Sequence, residues 1–301
     1  GFLIWTGADL LVNRTISRFS PRIEKTLSNS LGHPLEIGVY EGLRPWGVTL
    51  GRTRLLPGEK DFSSVNISNL TVKFAPFASL LNWQPVAIFN PKGTEIILSK
   101  NNKGSFWVLP PSDNSKSNNF HLRFNLKGST KIVFNPGEKI LFAKGKIALN
   151  LSKKKIYGAL NLYSRQQGSI HLSGKGYWDG LEFKTKAIIN KLRLGFLEGL
   201  FGDGSNIISK GNINGKINLA VEKGFLKCKG DLTANNLSLR GWILSDILST
   251  NKSKIKCEND KFILSESNWN YGYWDITTSA ELPFYKKDIN LINSLTYIKI
   301  K

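Results

Sequence analysis

From Pro34 onward the chain alternates apolar and polar residues with a period of two, and this limits its possible folds more than any other feature. Phe120, Leu122, Phe124 and Leu126 are interleaved with His121, Arg123, Asn125 and Lys127. The habit continues at Ile147, Leu149 and Leu151, at Ile170 and Leu172, at Leu181 and Phe183, and at Ile213, Ile217 and Leu219. Successive side chains of a strand point to opposite faces, so each such run makes a strand with one apolar and one polar face. Asn135-Pro136-Gly137, Trp178-Asp179-Gly180 and Glu222-Lys223-Gly224 punctuate the runs as turns. With 28 Gly and no long helical pattern in this region, a mainly β chain is expected. The polar stretch Ser112 to Asn119 (SDNSKSNN) is the one clear linker.

The segment before Pro34 reads differently. Phe2, Leu3, Ile4, Trp5, Leu10, Leu11 and Val12 surround a lone Asp9, and Arg14, Arg18 and Arg22 follow. The run is shorter than the ~20 apolar residues that span a bilayer. It is read as the exit end of a transmembrane helix, with a surface amphipathic helix as the alternative. Ser20-Pro21 has the form of an N-cap with proline at the first helical position. Ile23, Leu27 and Leu31 then recur at helical spacing until Gly32-His33-Pro34 stops the run. The sequence has no methionine, begins in an apolar stretch and stops in the alternating run Tyr297-Ile298-Lys299-Ile300, so a piece of a longer protein is expected. The expected organisation is residues 1–33 as the end of a membrane anchor plus an amphipathic helix, and 34–111 as an N-terminal β segment. The linker at 112–119 follows, and then repeated β-groove segments over 120–301, cut short at the C-terminus.

The net charge is +20, from 42 Lys and Arg against 22 Asp and Glu. Only ten of the basic residues are Arg, the side chain that nucleic-acid readers favour for its planar fork. The Lys residues are spread along the strands without interleaved aromatics, so no nucleic-acid partner is expected. Their surplus is read first as solvated strand faces and second as attraction to anionic lipid headgroups or an acidic partner. Cys228 and Cys257 form no CxxC pair and share strand parity with Leu226 and Ile255. Buried free thiols are the first reading; a bridge is the second, and it needs an oxidising compartment.

No enzymatic constellation appears. His121 and His171 occupy polar strand positions and are expected to be solvated, and His33 lies in the turn after the helix with a structural role. Metal, nucleophile and phosphate-loop spacings are absent, and Gly174-Lys175-Gly176 is surrounded by strand sequence rather than a strand–helix junction. No cofactor and no catalytic residue are assigned. There is instead an internal repeat. Ser173-Gly174-Lys175 leads to Asn190-Lys191-Leu192-Arg193-Leu194, and Asn214-Gly215-Lys216 leads to Asn235-Asn236-Leu237-Ser238-Leu239. Each block is followed by an apolar stretch, Phe196 to Leu200 and Trp242 to Leu248, which favours stacked β units.

An apolar sheet face must be covered. A second sheet would make a sandwich, whereas an uncovered curved face would form a trough for acyl chains; alternation alone fits both. A trough is energetically meaningful, because moving each CH₂ into water costs ~0.8 kcal/mol. The residues that would line it are Phe120, Leu122, Phe124, Leu126, Ile147, Leu149, Leu151, Ile170, Leu172, Ile213, Ile217 and Leu219.

Several blocks carry a family resemblance. They are Leu31-Gly32-His33-Pro34-Leu35-Glu36-Ile37-Gly38, Gly42-Leu43-Arg44-Pro45-Trp46-Gly47 and Leu80-Leu81-Asn82-Trp83-Gln84-Pro85. Asn90-Pro91-Lys92-Gly93-Thr94-Glu95 and the stretch from Gly104 to Pro111 (GSFWVLPP) complete the set. Together they resemble the cyanobacterial and plastid branch of the TamB family (translocation and assembly module, AsmA-like). The resemblance implies an elongated, curved antiparallel β-groove behind a single inner-membrane helix, with its body in the periplasm or plastid intermembrane space. It implies outer-membrane biogenesis by phospholipid transfer, protein translocation or both, with membrane lipids and an Omp85-type outer-membrane protein as partners. The latter would be met through a C-terminal region absent from this chain. In this reading Trp46, Trp83 and Trp107 shape the first groove segment. The alternative is a secreted, non-enzymatic β-solenoid that binds acidic polysaccharide or lipid headgroups.

Overall fold

The computed structural model describes residues 2–58, 61–99, 120–135, 139–164, 168–177, 182–194, 208–222, 225–240 and 246–283. Helix α1 (Phe2–Leu31) precedes β1 (Leu35–Glu36), β2 (Tyr40–Arg44), β3 (Gly47–Leu50), β4 (Thr53–Leu55) and β5 (Ser64–Phe74). A short helix, α2 (Pro76–Asn82), leads to β6 (Val86–Ser99), β7 (His121–Asn135), β8 (Lys139–Asn150) and β9 (Lys155–Ser164). Then come β10 (Gly168–Tyr177), β11 (Glu182–Arg193), β12 (Ile208–Glu222) and β13 (Phe225–Leu239). The last strands are β14 (Leu248–Asn259), β15 (Lys261–Tyr271) and β16 (Trp274–Pro283). The protein is mainly β, as its alternation dictates.

Two compact units meet in the chain at Leu160 and Asn161, inside β9. In the first the strand order is β1-β4-β5-β6-β7-β8-β9, with the β2–β3 hairpin attached to β5 through β3. In the second, β10 to β16 pair in sequence order, each antiparallel to the next. β6 and β7 pair in parallel, from Val86 opposite His121 to Ser99 opposite Asn135, which joins the segments on either side of the expected linker. Parallel neighbours need a crossover of a dozen or more residues, and the chain between Ser99 and His121 supplies it. Residues 100–119, with the linker, Trp107 and the Gly104–Pro111 block, lie outside the described residues. So do Trp178–Leu181, Phe196–Leu200 and Trp242–Ser245.

The N-terminal helix corrects one expectation. Ser20-Pro21 is not a helix start, because α1 runs through it as 30 continuous residues with Pro21 inside. An interior proline removes one hydrogen bond and crowds the carbonyl four residues back, at a cost of about 3 kcal/mol. Hydrogen bonds to the strands hold the helix on both sides of it. Asp9 Oδ1 accepts from the Leu43 N–H at 3.0 Å and from the Tyr40 hydroxyl. Beyond the proline, Glu24 Oε1 accepts from the Ile37 N–H at 2.7 Å, and Ser28 Oγ from the Leu35 N–H at 2.8 Å. The stop at Gly32 is as the sequence indicates: Gly32 has φ 71°, a left-handed C-terminal cap, and its N–H donates to the Ser28 carbonyl. Among the described residues no helix is long and apolar enough to cross a membrane.

The internal repeat is a pair of hairpins, β10–β11 and β12–β13, and its Asn-x-Leu-x-Leu block encodes a bulge. Lys191 and Asn236, the x residues, both adopt left-handed conformations, with φ 48° and 50°. The ladder register shifts at both places. A bulge frees backbone groups from the ladder, and here the Lys191 N–H donates to Asn214 Oδ1 at 2.7 Å. Asn214 opens the second repeat, so one copy caps the irregularity of the copy before it. The leucines after each bulge, Leu192, Leu194 and Leu237, are buried.

Candidate functional site

In the first unit the apolar parity lines up across strands. Leu43, Val48, Val72, Phe89, Phe124 and Ile147 stand opposite one another in register from β2 through β3, β5, β6 and β7 to β8. Residues paired directly across a ladder share a face, so these six form one continuous apolar row. A second row, Phe74, Ala87, Leu122 and Leu149, runs beside it. The Phe89 and Phe124 rings stack with centroids 4.9 Å apart. Every member of the long row is half-buried: its neighbours cover its flanks, but it is not sealed. Leu126 and Leu151 are half-buried as well, whereas Phe120, just before β7, is exposed. The opposite face carries polar pairs, with Asn125 donating to Asn90 Oδ1 at 2.9 Å and Lys131 bridging to Glu95 at 2.8 Å, together with Ile88 and the buried Val86, His121 and Ala148.

The second unit repeats the arrangement and closes it. One row reads Ile170, Ile189, Gly215, Leu232, Ile255 and Leu264; the next reads Leu172, Ala187, Ile217, Gly230, Cys257 and Phe262. Ile213, Ile217, Leu232 and Trp269 are buried in one cluster, with Leu172 and Leu219 packed against it half-buried. The glycines in these rows have φ values of 145° and 151°, and an added Cβ would meet the carbonyl oxygens of Asp231 and Lys216 at 2.2 and 2.1 Å. Such close backbone approach is what a strand glycine permits, and it draws β12 and β13 together beneath the apolar side chains.

The cysteines belong to this face, and they are bonded rather than free. Cys228 and Cys257, diagonal neighbours on β13 and β14 with Cα atoms 5.6 Å apart, form a disulfide. Cys257 stands opposite Gly230, whose missing side chain leaves space beside it. Sequence parity had placed both thiols on the apolar side, but only the strand register brings them within bonding distance.

Three other expectations about particular residues change. His121 is not solvated: it is 3% exposed, and its Nε2 lies 2.9 Å from the Tyr157 hydroxyl on β9. Burial, and after it the charge of Arg123, holds its pKa below the ordinary 6.5. Trp46 and Trp83 do not shape the interior of the first segment. They are 69% and 86% exposed, in left-handed positions at the β2–β3 turn and at the end of α2. His171 is half-buried and hydrogen-bonded to Asn161.

His33 is fully buried, as its structural role requires. Its Nδ1 is 3.0 Å from the Leu56 carbonyl and its Nε2 is 3.5 Å from Asp61, joining the end of α1 to the loop before β5. Tyr40 is pushed up to about 12 by burial, then by its hydrogen bond to Asp9 and the charge of that carboxylate. Among the described residues no three His, Cys, Asp or Glu side chains gather as a metal site.

The described residues offer an apolar strip along one sheet face, half-buried in the first unit and more deeply buried in the second. No protein-family model matches the chain, and neither a curated protein nor a solved structure matches it.

Proposed function

We propose that this chain is a membrane-proximal part of a TamB-like envelope bridge that acts in outer-membrane biogenesis by passing phospholipid acyl chains along its apolar face. Protein translocation with an Omp85-type partner is the associated activity that the resemblance implies. The observation that carries the reading is the half-buried row from Leu43 to Ile147. Six strands at ~4.8 Å spacing give a strip about 24 Å long, more than the ~15 Å of one leaflet of a bilayer's hydrocarbon core. A sixteen-carbon chain crossing water faces about 13 kcal/mol, and a strip of this length shields most of it without any specific polar contact. The disulfide supports a body in an oxidising compartment, such as a periplasm.

The test is to delipidate the folded chain, expose it to mixed bacterial phospholipids, repurify it and analyse the organic extract by mass spectrometry. Co-purifying phospholipid is the expected result; a folded sample that extracts none removes the transfer reading. Retention of acidic polysaccharide without lipid would instead favour the binding-module alternative, to which the exposed Lys216, Lys229 and Lys254 on the polar face point.

A further inference from the structure

Helix α2 buries none of its residues. A surface helix ordinarily turns its apolar side inward, yet Phe77, Leu80 and Leu81 are 82%, 68% and 82% exposed, and Trp83 follows at 86%. Polar bonds hold it in place instead. Ser79 Oγ donates to the Ala75 carbonyl and accepts from the Val86 N–H, and the Trp83 N–H caps the helix at the Leu80 carbonyl. Exposed apolar groups clustered this way mark an interaction surface.

This surface is one end of the first unit. The Phe74 N–H donates to the Trp46 carbonyl, which brings the β2–β3 turn and its exposed indole beside the start of α2. Gln84 Nε2 donates to Ser152 Oγ at 2.8 Å, which adds the turn after β8. Arg44, Lys73 and Lys153 are exposed here, while residues 42–50, 73–86 and 150–155 include no Asp or Glu. Helix α1 points the same way. Ser28, Glu24 and Asp9 contact residues 35, 37 and 43 in turn, so the helix start extends about 10 Å beyond Asp9 toward this end. Leu10 and Leu11 are exposed beside Asp9.

We propose that this end of the first unit, formed by Trp46, α2 and Trp83, docks into the interface of an anionic bilayer. Tryptophan sits at the headgroup level, Phe and Leu enter the acyl boundary, and the basic rim of Arg44, Lys73 and Lys153 complements lipid phosphates. The inference concerns docking and holds whether or not the apolar strip transfers lipid; vesicle binding and lipid extraction read the two separately.

The experiment floats the 301-residue chain with phosphatidylcholine vesicles containing or lacking phosphatidylglycerol, for wild type and for the double variant Leu81→Ser, Trp83→Asn. Asn tolerates the left-handed position of Trp83, and both side chains are exposed, so the thermal melt should not move. Binding should favour the anionic vesicles and fall about tenfold or more in the double variant. The pair Tyr273→Ser, Trp274→Ser, equally exposed but in the second unit, should leave it unchanged. Three results would overturn the proposal: no vesicle binding by the wild type, equal binding by the α2 variant, or self-association that the variant abolishes while vesicles go unbound. The last would assign the surface to a second copy of the chain.

Discussion

Desolvation governs His121. Its ring is buried against Tyr157, and both burial and Arg123 disfavour the imidazolium, so the folded chain resists a proton that the unfolded chain accepts. Stability rises with pH wherever the unfolded state holds more protons. The contribution of His121 is therefore complete above pH 6.5 and is lost as pH falls from there toward the depressed folded value. Melting temperatures measured from pH 8 to pH 5 should decline more steeply for wild type than for His121→Asn; parallel curves would show that the ring does not titrate as described. Sequence parity could not foresee this environment, because it assigns a side to each residue and is silent about what lies on that side. Polar parity at His121 means only that it avoids the row containing Leu122, and Tyr157 arrives from a strand 36 residues away.

At the scale of elements, the disulfide links β13 and β14 over a separation of 29 residues. Closing a loop of this size stabilises by about 3–4 kcal/mol in the chain-entropy account. Cys228→Ser should lower the unfolding free energy of the second unit by roughly that amount, read by urea denaturation. The oxidised protein should expose no thiol to alkylation until it is reduced. A reactive thiol in the native oxidised chain, or an unchanged denaturation midpoint, would contradict the bond. The elements themselves were largely legible: β7, β8, β10, β11 and β12 lie where alternation indicated, and α1 stops at Gly32. Its start was not legible, since Pro21 carries the local signature of a first turn, while backbone hydrogen bonds from β2 and from the β1–β2 link to Asp9 and Glu24 keep one helix across it. The repeat was visible as spacing, but its meaning as a left-handed bulge capped by Asn214 required the ladder.

For the whole molecule, two units built on the same alternation differ in how far their apolar faces are closed. That difference predicts divergent outcomes for one kind of substitution. Phe124→Asp places a charge on a half-buried position, so the chain should still fold while lipid recovery in the extraction experiment drops sharply. Ile217→Asp places it where only 7% of the residue is exposed, and should cost on the order of 4–5 kcal/mol and disrupt the second unit. Equal loss of structure in both variants would mean that the first strip is as sealed as the second.

The sequence by itself determined the class of structure: a period of two produces strands with one apolar side, and that holds whatever the strands pair with. It also fixed which residues share that side, because Leu122, Phe124, Ile213 and Ile217 keep their parity in every register of the same phase. Only the tertiary structure decided how much of the apolar side is covered, which thiols meet, and where aromatic residues remain in solvent. These depend on which strands become neighbours and how closely their backbones approach, contacts between residues far apart in the chain that no local pattern encodes.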